Sequence, residues 1–506
     1  MAGRLLERCG EYSGGGIKIA RSKKSNSMKT FIINLFLLPA LIACLGLLLT
    51  GRVTAQTFTT LHSFASGVND GASPYAGLIL AGSTLYGTTV TGGSSDSGTV
   101  FAVNTNGTGF TTLHGFTNGS DGAYPYGGLI LSGTTLYGTA TWGGSSGEGT
   151  VFKIKTDGTG FTTLHSFTAI PGPLYTNSDG AQPYAELILS GNTLYGTTEF
   201  GGSSGEGTVF KVNTNGTSFT NLHSFTALSG IFQSNSDGAE PQTGLILSGN
   251  TLYGTAVVGG TSGNGTVFKL NTDGTGFTTL YGFSDSGVSD GVNPYATLIL
   301  SGNTLYGTAA YGGSSGYGTV FAINTNGTGF TNLHSFTSGS DGVHPYAGLI
   351  LSGNTLYGTA SAGGSSGNGT VFAVNTDGTG FTNLHSFTAL DTATFTTNSD
   401  GADPFVGLIL SGNILYGTAA GGGSSGKGTV FSFSLPPPPQ LTIIRYGTNV
   451  VLSWPTNAAG FTLQSTTNLV SPLVWITNSP APTVVNGQNT VTNPISGTKK
   501  FYRLSQ

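Results

Sequence analysis

The stretch from Pro345 to Phe387 recurs along this chain seven times with small changes, and that repetition limits the fold more than any other feature. LYGT begins at Leu85, Leu136, Leu194, Leu252, Leu305, Leu356 and Leu415. GTVF begins at Gly98, Gly149, Gly207, Gly265, Gly318, Gly369 and Gly428. A short LIL piece begins at Leu78, Leu129, Leu187, Leu245, Leu298, Leu349 and Leu408. A fourth piece, FTxLHSF in most copies, begins at Phe58, Phe110, Phe161, Phe219, Phe277, Phe330 and Phe381. The LYGT tyrosines stand 51 to 59 residues apart. Four strand-like pieces per unit at this period predict the blades of a β-propeller. Consecutive apolar residues such as Val371-Phe372-Ala373-Val374 predict strands buried on both faces, as when a blade packs between two others. Asp377-Gly378 and Asn326-Gly327 supply the positive-φ positions of tight hairpins.

The order of the pieces bears on closure. The fourth piece comes first, at Phe58, before any LIL, and the last unit runs from Phe433 into Pro436 without one. With FTxLHSF outermost, the N-terminal copy completes the seventh blade and no ring edge stays open. With FTxLHSF innermost, the chain gives seven uninterrupted blades; spacing alone leaves both phases open. The expected class is all-β: a seven-bladed β-propeller with four-stranded blades over residues 56–434, then a Pro-rich linker over 435–440. A small fibronectin-III/Ig-like β-sandwich follows over 441–506, read from short strands such as VVLSW, which contains Trp454, and the terminal FYRL.

Composition narrows the function classes. Residues 56–506 hold nine basic and nineteen acidic residues, a net charge of −10. That sign works against nucleic acid and against an anionic membrane surface as partners. Cys9 and Cys44 both precede residue 56, so the segment beyond has no thiolate for a disulfide, a metal or a nucleophile. Arg21, Lys23, Lys24 and Lys29 precede an apolar run from Phe31 to Leu49, and Val53-Thr54-Ala55 follows. This pattern predicts a signal region over 1–55 cleaved after Ala55, an extracellular or cell-surface protein, and no membrane span after cleavage. A retained anchor and a lipid on Cys44 are the alternatives.

The repeat resembles kelch-type blades: the double glycine Gly363-Gly364 follows the second strand, and Phe381 stands where kelch has tryptophan. LYGTxxxGGSSGxGTVF more closely resembles the GloVer tandem repeats of bacterial surface proteins, over about three quarters of the chain. That resemblance brings no biochemical activity with it. Kelch strand order implies the phase with FTxLHSF outermost.

Four features could carry function. His62, His114, His165, His223, His334 and His385 recur in the fourth piece, with Tyr281 in the fifth copy. Three strand spacings of about 4.8 Å place them too far from the axis to share an ion, so they read as structural, hydrogen-bonded residues. Asp70, Asp121, Asp179, Asp237, Asp290, Asp341 and Asp400 each precede a glycine. They read as Asx-turns in preference to calcium sites, since calcium wants six to eight oxygens. No catalytic motif stands out, so no catalytic residue, metal or cofactor is assigned.

The remaining feature is where the copies differ: two positions before each double glycine and one after SSG. These hold Trp142, Phe200, Tyr311 and Tyr317, and the carboxylates Glu148, Glu199 and Glu206. Their loops join strands two and three on one face, and variable loops on a rigid frame are where binding residues concentrate. Aromatics with scattered carboxylates suit a carbohydrate, a surface polymer or a peptide; ordinary drift in exposed loops is the bland alternative. The expected function is a non-catalytic binding or adhesion module. The alternatives are a structural spacer without a ligand and a polysaccharide-acting enzyme using Glu148, Glu199 or Glu206.

Overall fold

The computed structural model describes residues 56–505 apart from 66, 173–174, 285–289, 392, 394–395, 438, 457–460, 470–473, 478–480 and 496–498. The expected signal region and Cys44 lie outside the described residues. Among the described residues no helix is long and apolar enough to cross a membrane. The chain forms two units, one of residues 57–435 and one that includes residues 436–506.

The larger unit is all-β and propeller-like, built from repeated four-stranded antiparallel sheets. One complete sheet runs Ile350–Ser352, Thr355–Ala360, Thr370–Asn375 and Thr382–Ser386, in that spatial order. LIL therefore supplies one edge and FTxLHSF the other. Among the described residues seven sheets share this order. In the last of them, Phe58–Ser63 pairs with Thr429–Ser434, placing Phe58 opposite Phe433 and Ser63 opposite Thr429. The N-terminal copy thus supplies the fourth strand of a sheet whose other three strands lie more than 340 residues further on. This is the phase that leaves no open edge.

Each sheet is buried on both faces, as the unbroken apolar runs require. Thr370–Asn375 is buried at every residue but its last. One apolar cluster joins Tyr306, Val320 and Phe336 to Leu349, Leu356 and Phe372 of the following sheet. Another joins Leu61, Phe64, Tyr416 and Val430 of the last sheet to Leu78, Leu85 and Phe101 of the first. Full burial of a phenylalanine is worth about 1.5–3 kcal/mol, so these interfaces are the main store of stability. The constant glycine of LYGT follows from the same packing. A Cβ added at Gly358 would lie 2.6 Å from Phe372 Cζ and 2.8 Å from Leu349 Cδ2.

The recurrent histidines and aspartates, read separately in the sequence, meet in pairs. His165 Nε2 lies 3.0 Å from Asp179 Oδ2, and the Thr168 backbone N–H and hydroxyl also donate to that carboxylate. The Asp179 carbonyl in turn accepts from Thr208 of the next sheet at 3.4 Å. One aspartate therefore clasps the outer strand of one sheet and is tied to the third strand of its successor. The histidine–aspartate pairing recurs at Asp70, Asp121, Asp237, Asp341 and Asp400 at 3.0–3.3 Å. At Asp70 the Ala65 N–H donates in the threonine's place and the carbonyl accepts from the Gly93 N–H. Tyr281 takes the histidine's place at Asp290, donating at 2.8 Å. The turn reading is thus enlarged: the carboxylates are occupied by donors from an outer strand. Gly180, at φ 99°, must be glycine, because a Cβ there would lie 2.2 Å from Thr198 Oγ1. Each histidine also stacks on the phenylalanine that opens the next sheet's outer strand, as His114 does on Phe161 at 3.9 Å; His385 closes the series on Phe58 at 4.1 Å.

In the second unit, Thr442–Tyr446, Asn449–Pro455, Gln488–Pro494 and Thr483–Val485 form one sheet. Ile476–Thr477, Thr462–Thr466 and Phe501–Ser505 form another. Leu452, Trp454, Leu463, Val491 and Tyr502 make its core.

The clasp gives a pH-dependent prediction. Burial alone would raise the Asp179 carboxyl; the hydrogen bonds from His165 and Thr168 outweigh it and hold it below the usual range. A depressed carboxyl contributes stability above its unfolded pKa of about 3.9 and loses it as the pH falls through its folded value. Asp179→Ala should cost roughly 2–3 kcal/mol at neutral pH, because it leaves the His165 and Thr168 donors without an acceptor. In denaturant titrations that difference should shrink towards zero on acidification.

Candidate functional site

The Pro-Tyr step that follows each clasp delivers a side chain to the axis of the larger unit. Tyr75, Tyr126, Tyr184, Tyr295, Tyr346 and Phe405 form a collar of rings. Neighbouring centroids lie 5.6 Å apart for Tyr75–Tyr126, 4.9 Å for Tyr126–Tyr184, 5.2 Å for Tyr295–Tyr346 and 5.4 Å for Tyr346–Phe405. Phe405 closes on Tyr75 at 5.1 Å. The copy between Tyr184 and Tyr295 has Gln242 instead, so the collar has one polar gap.

Around the collar lies an annulus of variable residues, joined in pairs across sheet boundaries. The residue before each Pro donates its N–H to the carbonyl of the residue after SSG in the preceding sheet. Gln182 donates to Glu148 at 2.8 Å, Glu240 to Glu206 at 3.0 Å and His344 to Tyr317 at 2.9 Å. Ser73, Tyr124, Asn293 and Asp403 repeat the contact. All seven residues before these prolines have positive φ, for example 53° at Tyr124, 53° at Glu240 and 56° at His344. Such conformations are strained for residues with side chains. The cross-sheet hydrogen bonds hold them in place.

The gap at Gln242 is acidic. Gln242 Nε2 donates to Glu199 Oε1 at 2.8 Å. Burial, the nearby Glu240 charge and only partial compensation by Gln242 push the Glu199 carboxyl up to about 8. Burial, then the Glu206 charge, raises Glu240 as well. Burial and the Glu199 charge raise the Tyr184 hydroxyl well above its ordinary value. Two repeats further round the collar from this gap, another polar group appears: Tyr311 and Tyr346 share a hydrogen bond of 2.5 Å between their hydroxyls. His344 packs on Tyr311 with centroids 4.7 Å apart and on Tyr317 at 6.3 Å.

The structure thus brings Tyr311 and Tyr317 together around His344, and places Glu199 and Glu206 beside Glu240. Glu148 accepts from Gln182, and burial raises its carboxyl. Trp142 and Phe200 are not drawn into these groups; they pair through backbone with Ala123 and Ala181, and Trp142 is exposed. Glu240, Gln242, His344 and the collar tyrosines were missed. The collar looked like framework because it is nearly constant. The position before each proline varies through Ser, Tyr, Gln, Glu, Asn, His and Asp, as much as the loop positions do, and that variation was the available signal. Among the described residues no group of three or more His, Cys, Asp or Glu is arranged to hold a metal ion.

The model for the Gloeobacter/Verrucomicrobia repeat matches residues 46–235 and 228–431. Among curated proteins none matches the chain. Solved structures with similar folds include oligogalacturonate lyase from Vibrio parahaemolyticus, at 9% identity and TM-score 0.45, covering 76% of this chain and 95% of that one. TolB from Acinetobacter baumannii is similar at 10% identity and TM-score 0.32, covering 75% and 76%. A nidogen/laminin complex matches at 14% identity and TM-score 0.36, covering 57% and 90%.

A raised carboxyl makes the opposite contribution to that of the clasp: its cost is absent below the unfolded pKa and grows until the pH passes the folded value. Wild-type stability should therefore decline between about pH 4.3, the ordinary glutamate value, and about 8, the value for Glu199. Thermal unfolding of Glu199→Gln across this range should show a flatter profile, with a higher Tm than wild type at the alkaline end.

Proposed function

The chain belongs to the Gloeobacter/Verrucomicrobia repeat family, and from that premise we propose that it is an exported binding or adhesion module whose axial mouth takes a polysaccharide or another surface polymer. On this reading the larger unit is a seven-bladed propeller, the second unit a fibronectin-III-like sandwich behind a Pro-rich linker, and the protein works outside the cell or on its surface. One observation carries the binding reading: six aromatic rings converge on one axis, and the residues that vary between otherwise uniform repeats surround them. Aromatic faces pack against the apolar faces of sugars, and tyrosine hydroxyls and carboxylates at the rim supply the polar contacts that fix orientation. A spacer without a ligand has no use for a near-complete collar interrupted by one glutamine with glutamates beside it. The strained residues before the prolines support the same reading, because backbone strain collects at ligand-holding positions.

The test is binding of the purified chain to an array of glycans and peptides. Wild type should bind at least one polysaccharide class saturably. Tyr126→Ala and Tyr346→Ala should weaken binding about tenfold or more, since a well-packed aromatic anchor is worth at least 1.4 kcal/mol. Silence of a folded wild type on both glycans and peptides would overturn the reading.

A further inference from the structure

Two residues beyond the collar, each copy contributes to a second, tighter ring. A Cβ added at Gly128 would lie 3.6 Å from the Gly77 carbonyl oxygen, and one at Gly77 would lie 3.7 Å from that of Gly407. The series continues from Gly407 to the Gly348 carbonyl at 3.3 Å, and from Gly348 to the Thr297 carbonyl at 3.2 Å. A Cβ at Gly244 would lie 2.8 Å from Thr297 Oγ1. The seventh position is Glu186, whose side chain spans its two neighbours: it lies 3.0 Å (Oε2) from a Cβ at Gly128 and 3.4 Å (Oε1) from one at Gly244. Thr297 is the other side chain in the ring, and its hydroxyl accepts from the Gly244 N–H at 3.0 Å.

Glu186 is therefore the one ionisable group in the throat. No hydrogen-bond donor or positive charge meets its carboxylate among the described residues, and burial raises its carboxyl. Its side chain lies between Gly128 and Gly244 and stays partly exposed. A carboxylate drawn partly out of water without a partner is costly, and the cost falls when a cation supplies the missing charge. The surroundings suit a cation throughout. Residues 57–435 contain five lysines and no arginine against nineteen acidic residues. Glu199 and Glu240 stand at the collar's gap, and aromatic faces attract cations. Lys427, after SSG in the last repeat, is the one basic residue at the annulus positions.

We propose that the axial throat recognises a primary ammonium group, held between the collar faces and the Glu186 carboxylate, and that the polymer bound is an amine-bearing polysaccharide. This inference rests on the glycan reading of the mouth and narrows it to a cationic glycan.

Titration calorimetry on the wild-type chain tests it with three probes: a glucosamine hexamer, the N-acetylglucosamine hexamer and a lysine-rich peptide. The expected result is at least tenfold tighter binding of the glucosamine hexamer than of its acetylated form. In Glu186→Gln that ratio should fall to about one. Equal affinity of wild type for the two hexamers would overturn the ammonium inference and leave the glycan reading standing. Binding of the peptide with neither hexamer would overturn the glycan reading and with it the cationic-glycan inference, and binding of no probe would overturn the ammonium inference. The wild-type comparison decides the matter even where Glu186→Gln fails to fold.

Discussion

The carboxylate of a single aspartate per repeat holds this architecture together. Apolar faces between sheets supply most of the stabilisation, but they are non-directional. The clasp is directional: in the third sheet's approach, Asp179 binds His165 and Thr168 of one sheet while its carbonyl accepts from Thr208 of the next. It fixes the turn from which the Pro-Tyr step departs, and so it sets where the collar ring lands. The histidine it orients is flat against the phenylalanine that opens the next sheet's outer strand. Buried polar groups that are fully satisfied specify one arrangement more sharply than apolar packing does.

That division explains why variation between the copies collects around the axis. The residues that make the clasp, the core and the hairpins are nearly invariant between copies because each has several partners to satisfy. Loop positions after SSG and before each proline are joined mainly through backbone, so their side chains can differ without cost to the frame. Seven copies of a rigid support thus present a ring of interchangeable residues. The copy containing Glu186, Glu199 and Glu206, with Glu240 and Gln242 just after it, has become the acidic one.

Much of the fold was legible because its signals are local and repeated sevenfold. The four strands, their double burial and the hairpin glycines follow from spacing and from the apolar runs. The sequence offered two phases for closure; the pairing of Phe58 with Phe433 decides between them. The site was only half legible. Tyr311, Tyr317 and Glu199 stood out because they break a uniform loop. The collar did not, since Tyr126 and Tyr346 are repeated residues and their convergence depends on the ring. Nor did the link between His165 and Asp179, which are fourteen residues apart with a variable connection between them. Glu186 is a single departure in a run of otherwise small residues, and its meaning depends on neighbours from two other sheets.

The account's central claim is that the N-terminal strand is an integral part of the last sheet and that clasp and stacking carry closure all the way round. Native-state hydrogen exchange at the amides of Thr59–Ser63 measures this most directly. If the claim holds, those amides that bond to Thr429–Ser434 exchange with the same protection as the amides of Thr429–Ser434 themselves, through opening of the whole unit. Exchange of the N-terminal strand orders of magnitude faster than its partner strand would contradict it, and would make the ring an open array with a loosely attached end.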